Sequence, residues 1–258
     1  MPEGILIHRH DDGVMELRLN RPEKFNAVTP AMTQTIGAAV AEATGDPVVR
    51  CLLVTAAGRG FCAGRDLSSA TPGEDARDIL ATQMNPVIAA LYECPKPTIA
   101  AVNGAAMGFG LGLALACDVV YAGHSARFAV PFARLGAALD SGGHYLLRRR
   151  LPEGRVLEMI YTAESVDGQA ATAIGLADRC FGDAELQAAA MALAHTCADG
   201  PAQALQRQKA LLRQAASLNL HDVLDAEAQL QGELALTADY REGVAAFQAK
   251  RKPVFRNR

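Results

Sequence analysis

The apolar positions in the first half of the chain fall into short runs that glycine, proline and charged residues separate. Apolar residues within 4–20 flank a polar turn that contains glycine, which predicts a β-hairpin. Residues 48–55 and 98–102 are continuous apolar runs, typical of strands that are buried on both faces. Thr29, followed by a proline, predicts the start of a helix that ends near Thr44. The pattern therefore predicts strands that alternate with helices around a sheet.

The second half of the chain is predicted to be mainly helical. A helix over about 77–93 and short strands over 118–122 and 127–131 come before this part. The predicted helices then cover approximately 140–150, 153–162, 167–174, 184–198, 201–217, 221–236 and 239–250. Together the two halves predict an α/β chain.

The stretch Thr98–Asp118 is nearly all apolar, yet closely spaced glycines interrupt it. Three interpretations are open: a membrane span, a buried helix rich in small residues, or a buried strand, a turn and a helix that starts near Gly108. We favour the third, because Ile99 suits a strand, Asn103-Gly104 is typical of a turn, and no flanking basic cluster supports a membrane span. Close packing of helices through the small residues remains the alternative.

The bulk composition limits the partners of the chain. Its 258 residues, of which 50% are hydrophobic, can bury a large core, and a net charge of -3 gives no general attraction to nucleic acid. The six cysteines form no CxxC pair and no secretory leader is recognised, which predicts a reducing, cytoplasmic setting without disulfides. The six histidines show no spacing typical of metal ligands, so no metal site is predicted.

Two glycine-rich loops each follow a predicted buried strand. The first, AAGRGFCAGRDL, covers 56–67, and the second surrounds Gly108. Glycine lets a ligand approach bare backbone N–H groups, and an N–H at the start of a helix lies at the positive end of its dipole. Neither loop matches a phosphate-binding motif. Two such loops can supply the two N–H donors of an oxyanion hole.

Five segments of the chain resemble the crotonase, or enoyl-CoA hydratase/isomerase, superfamily. They occur in the order that the family has and cover the chain almost from end to end. The segments are LNRPEKFNAV (19–28), GRGFCAGRDL (58–67), AAVNGAAMGFGLGLALACD (100–118), LGAALDSGGHYLL (135–147) and EGVAAFQAKRKPVF (242–255). The motifs resemble most closely those of Δ3,Δ2-enoyl-CoA isomerases and of the ring-epoxide isomerase of phenylacetate catabolism.

This resemblance implies a fold, a substrate class and an assembly. The implied fold is α/β, a crotonase-like spiral of ββα units over 1–198 that carries the acyl-CoA site, followed by a helical C-terminal trimerisation region over 199–258. The implied substrate is an acyl-CoA thioester, with no metal or redox cofactor and with coenzyme A as part of the substrate. The chain is expected to form a homotrimer, or a hexamer that is a dimer of trimers.

The resemblance also assigns roles to single residues. The peptide N–H groups of Arg65 and Phe109 are expected to hold the thioester oxygen, and Asp140 falls at the position of the catalytic carboxylate in the isomerases. The residues expected to bind CoA or the acyl group are Lys24, Phe25, Ala27, Ala63, Asp66, Leu67, Gly108, Phe132, Leu139, Phe247 and Lys250. The last two are expected to reach the CoA of a neighbouring subunit, whereas segments 68–76 and 77–91 are expected to line the acyl pocket.

The same resemblance separates two kinds of chemistry. Hydratases of the superfamily use two glutamates, and the corresponding positions here are Gly112 and Phe132, which cannot transfer protons. A double-bond shift needs one carboxylate, which removes a proton from C2 or C4 and returns it at the other carbon. We therefore expect an enoyl-CoA isomerase with Asp140 as its base, and apolar neighbours that raise the pKa of this side chain.

Several alternatives remain open. Asp140 precedes Ser-Gly-Gly and an apolar segment, so it could instead cap a helix. The chain could be a hydratase with a non-standard acid, a hydrolase or dehalogenase that uses Asp140 as nucleophile, or an acyl-CoA binder without catalytic activity. Acyl-chain length, ring content and the choice between trimer and hexamer do not follow from the sequence.

Overall fold

The computed structural model describes residues 4–71 and 73–256, which form ten strands in two sheets. In chain order the strands are β1 (Ile5–Arg9), β2 (Val14–Leu19), β3 (Cys51–Ala56), β4 (Gly60–Cys62), β5 (Thr98–Val102), β6 (Ala105–Met107), β7 (Val119–Gly123), β8 (Arg127–Ala129), β9 (Ser165–Asp167) and β10 (Arg179–Phe181). The larger sheet has the order β1-β2-β3-β5-β7-β10, and the smaller sheet has the order β4-β6-β8-β9.

The helices lie between and after these strands. They are α1 (Pro30–Gly45), α2 (Ala76–Ile79), α3 (Asn85–Glu93), α4 (Phe109–Ala116), α5 (Gly143–Arg148), α6 (Glu153–Thr162), α7 (Gly168–Ala173), α8 (Asp183–Asp199), α9 (Ala202–Ala215), α10 (Leu220–Ala235) and α11 (Ala238–Gln248). A π-helical turn, Leu80–Met84, joins α2 to α3, and single 3-10 turns form at Pro22–Lys24, Leu67–Ser69 and Pro131–Leu135.

A strand of the larger sheet is repeatedly followed by a strand of the smaller sheet and then by helix. β3 leads to β4 and the α2–α3 segment, β5 leads to β6 and α4, and β7 leads to β8 and a 3-10 turn before α5. The pairs β3–β5, β5–β7, β4–β6 and β6–β8 are all parallel. The predicted α/β fold of successive ββα units with a helical C-terminal region is therefore confirmed.

Both faces of the larger sheet are buried. Leu52 and Val54 of β3 belong to the main core, which also contains the inner faces of α1, α3 and α4. Leu53 faces the other way and packs with residues of α8, among them Leu186 and Ala190. This two-sided burial explains why β3 reads as a continuous apolar run instead of an alternating one.

The predicted elements that rest on strong local signals are confirmed. The hairpin forms from β1 and β2, Thr29 Oγ1 caps α1 by accepting from Met32 N (3.3 Å), and β5 has the predicted bounds. The three-residue strand β8 was predicted as a longer strand over 127–131, whereas β4, β6, β9 and β10 were not predicted, because three residues alone are too few to show a period. The helix predicted over 140–150 is shorter and begins at Gly143.

The stretch Thr98–Asp118 forms β5, a turn, β6 and α4, so the interpretation as strand, turn and helix is correct. Within the described residues, no helix combines the length and the apolar character needed to cross a membrane. Asp118, the last residue of the stretch Thr98–Asp118, connects the larger sheet to the C-terminal helices. The Asp118 carboxylate accepts from Thr98 N (2.8 Å), Lys209 Nζ (2.6 Å) and Arg213 Nη2 (2.9 Å), and the last two side chains belong to α9.

Candidate active site

A cavity of about 230 Å³ lies where the loops after β4 and β6 meet the turn before α5. Its walls are mainly apolar. The lining residues are Ala63, Gly64, Arg65, Leu67, Ala76, Ile79, Leu80, Met84, Gly108, Phe109, Pro131, Phe132, Leu135, Ala137 and Asp140. The cavity thus brings together seven residues that the sequence singled out, namely Ala63, Arg65, Leu67, Gly108, Phe109, Phe132 and Asp140.

The backbone N–H group of Arg65 points away from Val28, the residue that is hydrogen-bonded to the backbone on either side of Arg65. Val28 N donates to Gly64 O (2.8 Å) and Asp66 N donates to Val28 O (2.9 Å), which makes Arg65 and Val28 a parallel bridge. In such a bridge the amide of the residue between the two bonds points to the opposite side. Among the described residues, no acceptor takes a backbone hydrogen bond from Arg65 N. This N–H is therefore available to a ligand.

A second N–H group, that of Phe109, is available for a different reason. Phe109 is the first residue of α4, so its N–H has no acceptor within the helix and lies at the positive end of the helix dipole. The preceding Gly108 has a φ of +51°, in the left-handed region that favours glycine. Gly64 has a φ of +104°, and a Cβ atom there would lie 3.2 Å from Met107 O and 4.0 Å from Phe109 N. The two loops are thus in close contact beside the cavity.

Asp140 is the one carboxylate that lines the cavity within residues 4–71 and 73–256. Its Oδ1 accepts a hydrogen bond from Ser141 Oγ (2.8 Å), and no other described group donates to this carboxylate. Burial raises the pKa of Asp140, and the hydrogen bond from Ser141 opposes that rise. A carboxylate with a raised pKa is a stronger base, which suits the removal of a proton from carbon.

The backbone around Asp140 forms a tight turn. Gly143 N donates to Asp140 O (2.9 Å), and φ is +52° at Ser141 and +72° at Gly142. Positive φ at both central positions is the mark of a type I′ turn. The N-cap of α5 is Gly142, and no side chain caps this helix. The alternative in which Asp140 serves as a helix N-cap is therefore wrong.

The two positions that carry glutamate in hydratases offer no acid here. Gly112 is buried in α4, and a Cβ atom on it would lie 2.4 Å from Ser141 O and 2.9 Å from Ser141 Cβ. The turn that presents Asp140 thus occupies the space that any side chain at residue 112 would need. Phe132 lines the cavity with its ring, 3.4 Å from where a Cβ atom of Gly108 would lie.

The side chain of Arg65 binds Glu74, not the backbone N–H of Arg65. Its guanidinium makes a two-pronged ion pair with Glu74, at 2.5 Å to Oε1 and 2.7 Å to Oε2. The hydrogen bonds from Arg65 lower the pKa of Glu74, so the pair is charged at neutral pH. The positive charge of Arg65 is thereby balanced, and Asp140 is left as the unpaired charge of the cavity.

The loop of residues 22–28 lies against the glycine-rich loop after β3. Asn26 is fully buried, and its Nδ2 donates to Ala57 O (2.9 Å) and Gly60 O (2.8 Å). Phe25 O accepts from Ala63 N (3.0 Å), while the exposed ring of Phe25 lies 5.7 Å from the guanidinium of Arg59. These contacts fix the position of the strand segment that carries Ala63 and Arg65.

Several residues assigned from the sequence lie outside the cavity. Lys24 and Phe25 are exposed on the neighbouring loop together with the half-buried Ala27, and Asp66 is paired with Arg21 (2.5 Å). Hydrogen bonds from Ser68 and Arg21 hold the pKa of Asp66 below its usual range. Leu139 is buried in the core, and a Cβ atom on Gly143 would lie 2.4 Å from its Cδ1.

Phe247 and Lys250 do not line this cavity; Phe247 lies in α11 and Lys250 follows the end of that helix. Phe247 is 85% exposed and borders a different cavity, of about 500 Å³, between α9, α10 and α11. Their expected contact with the CoA of a neighbouring subunit stays a prediction. Among the described residues, no group of three or more histidine, cysteine or acidic side chains could hold a metal ion.

Sequence reasoning missed two residues of this site. In the sequence Asn26 stands out only as part of a motif, whereas in the structure its hydrogen bonds connect two loops. The sequence places Ser141 in a possible capping segment, whereas in the structure its hydroxyl donates to Asp140. The signal for Ser141 was present, since Ser-Gly after an aspartate is typical of a turn as much as of a helix start. The predicted lining of the pocket by 68–76 and 77–91 agrees with the positions of Ala76, Ile79, Leu80 and Met84.

Comparison with known proteins identifies the family of this site. The profile of the family described as enoyl-CoA hydratase/isomerase matches residues 9–258. The chain belongs to the enoyl-CoA hydratase/isomerase family. It is therefore a crotonase-family enzyme that acts on acyl-CoA thioesters, as the five sequence segments indicated.

Some relatives within the family are named hydratases and others isomerases. The chain is 39% identical over 248 residues to a probable enoyl-CoA hydratase of Rhodobacter capsulatus, and 96% of each chain is covered. It is 38% identical over 260 residues to the 1,2-epoxyphenylacetyl-CoA isomerase of Escherichia coli K12, with 99% of each chain covered. It superimposes on the enoyl-CoA hydratase of Bacillus anthracis with a TM-score of 0.94 at 28% identity, covering 99% of this chain and 100% of that chain.

Proposed function

We propose that this enzyme is an enoyl-CoA isomerase that moves a carbon–carbon double bond of an acyl-CoA from position 3 to position 2. The observation that carries the proposal is that Asp140 supplies the one carboxylate among the described residues that line this mainly apolar cavity. Neither Gly112 nor Phe132 can supply the second acid–base group that hydration needs.

In the proposed reaction, Asp140 acts as base and then as acid. Its carboxylate removes a proton from C2 of a 3-enoyl thioester, and the electron pair of that C–H bond moves into a dienolate. The N–H groups of Arg65 and Phe109 hold the negative thioester oxygen, which stabilises the dienolate. The carboxyl proton then goes to C4, leaving the double bond between C2 and C3. Coenzyme A takes part only as a portion of the substrate, and the mechanism uses no metal or redox cofactor.

The raised pKa of Asp140 supports this role. Desolvation makes its carboxylate more basic than an exposed aspartate, so less free energy is needed to transfer a proton from C2. The apolar lining excludes water, which would otherwise add to the double bond or protonate the dienolate in solution. Leu80, Met84 and Phe132 are among the side chains that form this lining.

The test follows formation of the conjugated 2-enoyl thioester from a 3-enoyl-CoA by absorbance. Asp140→Asn should lower kcat by about 10²- to 10⁴-fold, because the asparagine cannot accept the proton. Asp78→Asn, which changes an exposed carboxylate on α2 near the cavity, serves as the matched control and should keep full activity. Equal rates in wild type and Asp140→Asn would refute the role of Asp140.

A second candidate function is hydration of a 2-enoyl-CoA, favoured by the hydratase names among the relatives. It is distinguished by offering crotonyl-CoA to the wild-type protein and following loss of the conjugated absorbance. Rapid hydration, together with no isomerisation of 3-enoyl-CoA, would favour the hydratase. The isomerase proposal expects the opposite pair of results.

We also propose that the chain assembles as a trimer, alone or as a dimer of trimers, in the cytoplasm. Phe247, Tyr240 and Val244 leave an apolar surface on α11 exposed in the single chain. Sedimentation should show three or six copies, and Phe247→Asp should shift the protein to smaller species. Val48→Asp, at an exposed residue before β3, is the control.

A further inference from the structure

The turn that carries Asp140 contains a serine in a conformation that serine rarely adopts. Ser141 has a φ of +52° at the first central position of the type I′ turn, where glycine or asparagine is preferred. It is also almost fully buried, at 1% exposure. A strained, buried, non-glycine residue next to a catalytic group suggests that its side chain has a function.

The side chain of Ser141 has one hydrogen-bond acceptor, and that acceptor is the carboxylate. Ser141 Oγ donates to Asp140 Oδ1 at 2.8 Å, and within the described residues Oδ1 and Oδ2 accept from nothing else. The backbone of Ser141 is held from the other side, because its carbonyl oxygen packs directly on Gly112 of α4. The backbone of Ser141 is thus packed against α4, while its hydroxyl is bonded to the carboxylate.

We propose that Ser141 is a positioning residue that holds one oxygen of the Asp140 carboxylate, so that the other oxygen is presented to C2 and C4 of the substrate. A carboxylate that serves two carbon atoms in turn must stay in one orientation while the substrate remains bound. One hydrogen bond to Oδ1 prevents rotation and leaves Oδ2 free for proton transfer. This inference rests on the proposed isomerase function.

The hydrogen bond also affects the pH at which Asp140 works. A donor to the carboxylate favours its charged form and therefore lowers the pKa that burial has raised. The other charged groups near Asp140 are few. Arg65 lines the cavity but is paired with Glu74, α4 carries no titratable side chain, and Arg134 and His144 on the flanking segments are exposed.

The experiment compares Ser141→Ala with Ser141→Gly. Both variants lose the hydroxyl, but alanine keeps the backbone strain whereas glycine relieves it. If the hydrogen bond matters, the acid limb of kcat/KM moves up by about one pH unit or more in both variants, because a lost charge-assisted hydrogen bond raises the pKa of Asp140. On the alkaline plateau, kcat should fall about tenfold while KM changes little, because orientation and not binding is lost.

A matched control exists elsewhere in the chain. Ser125 Oγ donates to Asp183 Oδ2 at 2.6 Å, outside the cavity, so Ser125→Ala removes a similar serine–aspartate hydrogen bond. Its acid limb should coincide with that of the wild type. An unmoved acid limb in both Ser141 variants would overturn the inference, and so would a shift in Ser141→Ala that Ser141→Gly abolishes.

A second measurement separates this inference from the isomerase proposal. The protonated carboxyl band of Asp140 is isolated by infrared difference spectroscopy of wild type against Asp140→Asn and titrated without substrate. Its midpoint should be higher in Ser141→Ala than in the wild type. Failure of the wild type to isomerise would refute the proposed function alone, whereas an unchanged midpoint would refute the role of Ser141 alone.

Discussion

The contact between Gly112 and the turn at Ser141 can be tested by adding a single methyl group. In Gly112→Ala the new Cβ would lie 2.4 Å from Ser141 O, 2.9 Å from Ser141 Cβ and 3.3 Å from Ser141 C. These atoms belong to the backbone or are attached directly to it, so no side-chain rotation relieves the overlap. Ordinary contacts of this kind begin at 3.4 Å, and the turn must therefore retreat by about 1 Å.

The size of the effect follows from two opposing terms. Overpacking of a dense interior costs about 1–3 kcal/mol, whereas alanine is a better helix former than glycine by about 1 kcal/mol. Because the overlap is with backbone atoms, the upper half of the overpacking range, about 2–3 kcal/mol, applies, and the net loss should be about 1–2 kcal/mol. Such a loss lowers Tm by about 2–8 °C in a chain of this size. Because the turn carries Asp140, a displacement near 1 Å should also reduce kcat/KM by about 10- to 100-fold.

The measurements are a thermal scan by circular dichroism and the isomerase assay. Gly154→Ala is the control, since it lies in α6 and a Cβ atom there meets nothing within 4 Å. It should keep activity and keep or slightly raise Tm, because alanine is the better helix former and meets no overlap there. If Gly112→Ala behaves like this control, the turn is not packed on α4 as described, and the explanation for the missing glutamate fails. The same reasoning expects Gly112→Glu to destabilise the protein without creating hydratase activity.

Three further predictions concern charge and hydrogen bonding. Asp140→Asn should be more stable than the wild type at high pH, because burial raises the folded-state pKa of Asp140. The contribution of Asp140 to the stability of the wild type is present below its unfolded-state pKa and is lost as pH rises through its folded-state pKa. Urea unfolding at pH 4 and pH 8 checks this, and a gap that does not grow with pH would contradict it. Asn26→Ala removes three hydrogen bonds of a buried side chain and should lower the free energy of unfolding in urea by about 2–4 kcal/mol. A decrease below about 1 kcal/mol would show that water replaces these hydrogen bonds. Asp118→Ala leaves Lys209 and Arg213 of α9 without their carboxylate and should lower the free energy of unfolding by about 2 kcal/mol, a value that already allows for partial exposure of these groups. The control Asp178→Ala, which removes a carboxylate paired with one arginine, should lower it by less.

The sequence predicted best where local chemistry determines the structure. Thr29 before a proline predicted the start of α1. The continuous apolar run of β5 predicted that strand, because every residue of β5 is buried. The loops that carry the cavity were recognised from their glycines. Their contact was not predictable from composition, because the approach of Gly64 to Met107 O depends on the pairing of β4 with β6, two strands too short to show a pattern.

The surroundings of Asp140 show where such reasoning stops. The letters Asp-Ser-Gly-Gly fit a helix cap and a type I′ turn equally well, and the tertiary contact of Ser141 with α4 decides between them. The resemblance predicts that Leu139 binds CoA or the acyl group, whereas the structure buries its side chain in the core. Adjacent residues in a turn point in different directions, which a linear pattern does not reveal.

The two proposed donors, the N–H groups of Arg65 and Phe109, belong to the main chain, which has a consequence for mutational scanning. Nineteen of the twenty amino acids carry the same N–H, so replacing Arg65 or Phe109 removes a donor only when the newcomer is proline. Their neighbours Gly64 and Gly108, with φ of +104° and +51°, tolerate far less. Saturation mutagenesis of this enzyme is therefore expected to show intolerance at Gly64 and Gly108, each one residue before a proposed donor, whereas at Phe109 intolerance would reflect the buried ring and not the N–H group.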